Sequence, residues 1–141
     1  AFGKPIASLG KNIEVIAKAR IEIESMRRMV LTAAKAMDEL GNEAARVWVS
    51  AVKAMVPIRV CHIIDEAIQF HGAAGVSQWT PLADMYTAQR TLRLADGPDE
   101  VHWFVVGRAE LRRWEEDGGI KYDPKVSYYS EDDDSVLTAR I

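Results

Sequence analysis

The sequence predicts an all-α protein, an antiparallel four-helix bundle with two long members, followed by an acidic irregular tail. Three observations carry this. Apolar residues recur at three- and four-residue spacing over two long stretches. No segment of useful length alternates apolar and polar residues as a half-buried strand would. Breaker clusters at Gly41-Asn42, Gly72 to Gly75, Asp96-Gly97-Pro98 and Gly118-Gly119 divide the helical patterns from one another and from the tail.

The first helix is expected from about Asn12 to Leu40. Ile16, Ile23, Val30 and Met37 recur every seven residues, with Ala19, Met26, Ala33 and Leu40 between them, and together they form a bundle seam. Gly41-Asn42 stops this helix. The second is expected from about Glu43 to His71. It is apolar on two sides, with Val49, Val52, Val56, Val60, Ile63, Ala67 and Phe70 on one and Trp48, Ala51, Met55 and Ile58 on the other. That places it centrally in the bundle. Pro57 lies mid-segment and predicts a kink.

After the turn-rich stretch beginning at Gly72, Thr80 is expected to cap a third helix with Pro81 in its first position, running to about Leu94. Met85, Ala88, Leu92 and Ala95 would face inward, with Arg90 and Arg93 pointing elsewhere. Asp96-Gly97-Pro98 breaks the chain. A fourth helix then begins, with Asp99 and Glu100 at the positive end of its dipole, and ends near Trp114. The domain boundary falls there: residues 1–114 form the bundle and 115–141 the tail.

Composition narrows the function classes. The 141 residues carry 18 basic and 21 acidic side chains, a net charge of −3. This argues against a general nucleic-acid binder, which shows a basic excess. The charge is uneven: residues 115–141 hold eight acids against three bases, so the bundle itself is slightly basic. Tyr122, Tyr128 and Tyr129 are the tail residues suited to pinning it on a partner. The single cysteine, Cys61, can form neither an internal disulfide nor a cysteine-rich metal site. No apolar run approaches the roughly 18–20 residues of a membrane span. The opening Ala-Phe-Gly-Lys-Pro lacks an initiator Met and a signal-peptide pattern, and reads as the interior of a longer chain.

Metal chemistry finds little support. A di-iron bundle needs Glu-x-x-His pairs on facing helices, and none precedes His62, His71 or His102. Asp99 and His102 form one acid–histidine pair without a mate. Gly72-Ala73-Ala74-Gly75 sits at a helix end rather than after a strand, so as a bare pattern it reads as a helix C-cap. Gln69 and His71 beside it can make directed hydrogen bonds. The segment from Arg90 to His102 has two readings, a helix–turn–helix joint with Asp96 near the cap, or a carboxylate held on a rigid joint to face a ligand.

At these residues the sequence resembles a known family. Phe70-His71-Gly72-Ala73-Ala74-Gly75-Val76-Ser77-Gln78, then Pro81-Leu82-Ala83, then Arg90 to His102, are similar in order and spacing to the C-terminal helical domain of acyl-CoA dehydrogenase flavoproteins. Phe2-Gly3-Lys4 resembles the end of that family's Arg-x-x-Phe-Gly-Lys segment. The likeness covers about residues 1–114.

The resemblance implies an FAD enzyme, a homodimer or homotetramer in which a neighbouring subunit helps hold the adenine end of the cofactor. The family's Gln-x-x-Gly-Gly segment does this. Here it reads Gln69-Phe70-His71-Gly72-Ala73, with alanine for the second glycine, and Phe2 joins the cofactor-binding set. The family's catalytic carboxylate maps onto Asp96, in the branch reading Ala-Asp-Gly-Pro-Asp-Glu-Val-His. Gly97 then lies beside the acyl thioester, and Pro98, Asp99 and Glu100 beside the flavin. Where many members place a His-Gln pair, this chain reads Leu9-Gly10, so those contacts do not carry over.

The implied reaction is α,β-desaturation of an acyl-CoA thioester in fatty-acid β-oxidation, with electron-transfer flavoprotein or oxygen as acceptor. The 141-residue chain alone is expected to bind FAD poorly and to turn nothing over. Nitroalkane oxidases and acyl-CoA oxidases are alternatives within the same fold, and a non-catalytic helical interaction module is the alternative of another class. Ala139-Arg140-Ile141 loosely resembles a peroxisomal tripeptide, beside which a mitochondrial matrix location stands as the other expectation.

Overall fold

A computed structural model describes residues 3–116 and 118. Among them the regular elements are helical and no strand occurs. A short 3-10 turn, Ile6–Ser8, leads into α1, Asn12–Ala44. Next come α2, Arg46–His71, a second 3-10 turn, Gly72–Val76, then α3, Leu82–Leu92, and α4, Asp99–Glu116. Residues up to Glu110 belong to one compact unit, and from Leu111 the chain belongs to a second.

The breakers act where their chemistry predicts. Gly41 leaves helical geometry at φ 80°, ψ 168°, and the chain reverses into α2 within a few residues. Only glycine adopts that conformation without a steric cost of about 1–2 kcal/mol. α2 is the hub, with α1 and α3 both packed on it. It runs unbroken through Pro57, which is buried. Its inner line is Ser50, Ala54, Pro57, Cys61 and Ile64, of which all but Ile64 are small enough to let the neighbours approach closely. By length and composition alone, Arg46–Val76 is apolar enough to cross a membrane, but one such helix packed between α1 and α3 is no clear membrane span. Lys53, Arg59, Asp65 and Glu66 hide this from a search for uninterrupted runs. The central position of α2 accounts for the apolarity.

Two helix faces differ from expectation, those of α1 and α3. On α1, the buried residues are Met26, Ala33 and Ala36, whereas Ile16, Ile23, Val30 and Met37 are each more than a third exposed. α1 packs on α2 along one stripe, so only one of its two apolar lines is covered. On α3, Met85, Ala88 and Leu92 are exposed, and Leu82, Tyr86, Gln89 and Arg93 are the half-buried line. Arg93 turns inward because a buried carboxylate, Asp99, requires a counter-charge. On α4, His102, Val105, Val106 and Ala109 are covered, while Val101 and Phe104 are exposed.

Thr80 does not cap α3. Its hydroxyl donates to the Ala74 carbonyl at 3.2 Å, and Pro81 takes the N-cap position.

Candidate functional site

The joint between α3 and α4 is built from the C-terminal turn of α3. Leu94 and Ala95 both donate their N–H groups to the Thr91 carbonyl, at 2.9 and 3.0 Å. Asp96 then adopts φ 55°, the one non-glycine residue with positive φ among those described, and Gly97 follows at φ 103°. Asp and Asn are the side-chain-bearing residues that best tolerate the left-handed region. Asp96 lies three residues beyond Arg93, the C-cap of α3, so the left-handed turn falls within the joint itself.

The joint's carbonyls are held from two directions. His102 on α4 places Nε2 at 3.2 Å from the Asp96 carbonyl oxygen. A carbonyl only accepts, so Nε2 carries the proton. The other ring nitrogen, Nδ1, lies 3.4 Å from the Ser50 hydroxyl, which is buried on α2. From the same helix, Lys53 donates its ammonium to the Gly97 carbonyl at 3.1 Å. The φ of Gly97 favours glycine, and a methyl group there would crowd His102 Nε2 at 3.3 Å.

Asp99 opens α4 and is 5% exposed. Arg93 Nε donates to its Oδ2 at 2.6 Å, and its Oδ1 is buried without a partner among the described residues. The carboxylate beside Arg93 holds the guanidinium above its ordinary pKa. The remaining polar groups of Asp96 are uncommitted. Its carboxylate and its N–H make no hydrogen bond to any described residue, and the residue is exposed. Pro98 and Glu100 are exposed beside it.

Gln69, Phe70 and His71 end α2, and Gly72 and Ala73 begin the 3-10 turn. His71 donates Nδ1–H to the Ala67 carbonyl at 2.8 Å. The Gln69 amide is exposed and has no partner among the described residues. Gly72 sits at φ 55°, ψ −139° as the C-cap of α2, and a methyl placed there would find nothing within 4 Å. Gly75 is the opposite case. A methyl there would meet the Ile68 carbonyl oxygen at 2.5 Å and its Cα at 2.9 Å, so this glycine lets the turn fold back flat on α2. A groove of about 620 Å³ runs between α1 and α2, lined by Lys11, Asn12, Glu22, His62, Gln69 and Phe70 among others. It does not include the Asp96 joint.

The predicted site therefore divides into two clusters. Asp96 to Glu100 gather at the α3–α4 joint against the first turns of α2. Gln69 to Ala73 lie at the far end of α2. From Ser50 to Gln69 the helix rises roughly 28 Å at about 1.5 Å per residue. Phe2 lies outside the described residues, as do Tyr122, Tyr128, Tyr129 and the terminal tripeptide. Among the described residues, no three His, Cys, Asp or Glu side chains gather as a metal site would require.

Comparison with known proteins decides the family. Residues 1–111 match the acyl-CoA dehydrogenase C-terminal domain. The chain belongs to the acyl-CoA dehydrogenase family. It is 51% identical over 112 residues to acyl-CoA dehydrogenase family member 11 of Rattus norvegicus, covering 79% of this chain and 14% of the rat protein. A solved Mycobacterium abscessus structure, described as a candidate acyl-CoA dehydrogenase, superposes with a TM-score of 0.78 at 49% identity, covering 81% of this chain and 28% of that one. Butyryl-CoA dehydrogenase from Megasphaera elsdenii superposes at 0.72 and 27% identity, covering 79% and 29%. The chain thus spans less than a third of each relative's length.

Acyl-CoA dehydrogenases are FAD-dependent flavoproteins, and this dehydrogenase domain has surfaces that fit such a cofactor. At Gly72 the backbone lies bare, with no neighbour within methyl-contact range, and the Gln69 amide beside it is unclaimed. A ligand can approach the main chain there and find a directed donor and acceptor.

Four residues of the acyl-CoA dehydrogenase joint are not assigned a role by the sequence: Ser50, Lys53, Arg93 and His102. Lys53 carries a usable signal, as the lone charge between Arg46 and Arg59 on an otherwise apolar helix. In the sequence His102 stands in an unmated acid–histidine pair with Asp99 and at the end of the Ala-Asp-Gly-Pro-Asp-Glu-Val-His segment, whereas the structure turns it back toward Asp96.

Proposed function

We propose that this chain forms the C-terminal helical portion of an FAD-dependent acyl-CoA dehydrogenase that desaturates an acyl-CoA thioester between its α and β carbons, in fatty-acid β-oxidation. Asp96 is the base. The observation that carries this reading is the contrast within one joint: the carbonyls of Asp96 and Gly97 are both tied down, while the Asp96 carboxylate and N–H are both left free.

The α-proton of a thioester is far too weak an acid for a carboxylate acting alone. The Asp96 carboxylate accepts that proton while its own N–H donates to the thioester oxygen, where enolate charge develops. Gly97, lacking a side chain, leaves room for the thioester beside the base. FAD, when bound, supplies the acceptor for the hydride leaving the β carbon. Pro98 and Glu100 form the wall against the flavin, with the buried Asp99 behind them on Arg93. Gln69, Phe70, His71, Gly72 and Ala73, with Phe2, take the adenine end. The roughly 28 Å along α2 between the two clusters supports a cofactor site shared between subunits of a homodimer or homotetramer. Electron-transfer flavoprotein or oxygen takes the electrons onward. The setting is a mitochondrial or peroxisomal matrix, the second supported by Ala139-Arg140-Ile141.

The test is Asp96→Asn in the full-length flavoprotein. It should abolish exchange of the α-proton of an acyl-CoA with solvent and keep the flavin bound and coloured. Exchange at the unaltered rate refutes the assignment. Bleaching of the flavin by nitroalkanes rather than acyl-CoA, or stoichiometric peroxide, would identify the oxidase alternatives.

A further inference from the structure

Asp96 has an unusual burden for a base. Its φ of 55° lies where a side-chain-bearing residue is sterically disfavoured, and its carboxylate is only two rotatable bonds from the main chain. The Cα–Cβ direction from which that carboxylate starts, and the angle between it and the N–H of the same residue, follow from the Asp96 backbone dihedrals, which the peptide planes on either side define. Nothing at the carboxylate itself corrects an error, since it has no partner among the described residues.

The peptide plane after Asp96 is fixed through its carbonyl. His102 Nε2 holds that oxygen at 3.2 Å. The other side of the ring meets α2, where Nδ1 faces the hydroxyl of Ser50 at 3.4 Å and Ser50 is 4% exposed. With Nε2–H pointed at the carbonyl, neutral Nδ1 is left as an acceptor, the role a serine hydroxyl satisfies. The ring thus bridges α2 to the joint, and Lys53, one helical turn from Ser50, holds the next carbonyl along.

We propose that His102, braced by Ser50, is a positioning residue that sets the Asp96 carboxylate and N–H toward substrate by holding the Asp96 carbonyl. This rests on Asp96 being the base. It adds that the aim of the base is determined by a hydrogen-bond donor on another helix.

The experiment measures α-proton exchange and flavin reduction in the full-length flavoprotein, using whichever straight-chain acyl-CoA of a length series exchanges fastest with the unaltered enzyme. His102→Leu removes the donor and keeps an apolar side chain of similar bulk. Exchange should slow by about 10- to 100-fold, the range expected of a misplacement near 1 Å. KM should stay within about twofold and flavin content should be unchanged. His102→Gln, whose amide N–H can occupy the place of Nε2, should recover exchange to within about threefold of the unaltered rate. Ser50→Ala, the gentler change should His102→Leu fail to fold, should slow exchange in the same direction by several-fold with KM unmoved.

Exchange at the unaltered rate in both His102→Leu and Ser50→Ala would overturn the proposal. Equal slowing by Leu and Gln would also overturn it, since ring shape rather than the donor would then matter. Asp96→Asn, measured alongside, separates the two failures. If it abolishes exchange while the His102 and Ser50 variants do not slow it, only the positioning role falls. If it leaves exchange intact, the base assignment falls with it.

Discussion

The Arg93 guanidinium and the Asp99 carboxylate meet at 2.6 Å across the joint, tying the C-cap of α3 to the first residue of α4. Asp99 is almost wholly buried and Arg93 about a third exposed. Arg93→Met would leave a buried carboxylate without its counter-ion, which destabilises far more than the intact pair stabilises. Urea denaturation of the chain should show a loss of about 2–3 kcal/mol, below the usual cost of breaking a fully buried pair because water already reaches Arg93. The double variant Arg93→Met with Asp99→Asn should recover part of that loss. A double variant no more stable than the single one would show that packing by the arginine stem, not charge, is the main contribution.

Gly75 should not accept a side chain. Its missing methyl position lies 2.5 Å from the Ile68 carbonyl oxygen, a backbone atom that cannot rotate away. Gly75→Ala should therefore lift the 3-10 turn from α2 and cost about 1–3 kcal/mol by urea denaturation. Because Gln69 to Ala73 directly precede this turn, flavin retention in the full-length protein should fall as well. A variant with unchanged stability would contradict the close packing.

Cys61 should be inert in the native state. Burial pushes its thiol above the ordinary value of 9.0, with Arg93 and Arg90 opposing only in part. Iodoacetamide at pH 8 should modify it slowly in the folded chain and rapidly in urea. The sign for stability follows from the raised value. The folded state favours the protonated thiol, so this contribution is complete below the unfolded thiol's pKa and is lost as pH rises through the folded one. Cys61→Ala should flatten the decline of stability above about pH 9.0. An unchanged slope would show that the thiol does not titrate as its burial implies.

Helix number, order and boundaries were legible because periodicity and breakers act locally. Gly41, Gly72 and Gly97 each take positive φ where the chain turns, a property of glycine that needs no knowledge of neighbours. Helix rotation was less legible. Ile16 and Met26 are equally apolar, and only the path of α2 decides which is covered. Arg93 has the spacing of a surface residue, since an inward charge follows from the location of Asp99 rather than from its own place in the period. Within the candidate site, Asp96 and Gly97 were legible as a motif. Their supports come from elsewhere: Lys53 lies 44 positions from Gly97, Ser50 lies 52 from the His102 it braces, and His102 is on the next helix, pairings that no local pattern announces.

The length of α2 between Ser50 and Gln69 has a consequence for how the domain can vary. A helix is a stiff spacer with a fixed advance and a fixed rotation per residue. One inserted residue between these ends would move them apart by about 1.5 Å and turn one against the other by about 100°. Substitutions along α2 leave that metric untouched, but insertions and deletions do not. The residue count between Ser50 and Gln69 therefore fixes the separation and relative facing of the two clusters, whatever the side chains between them.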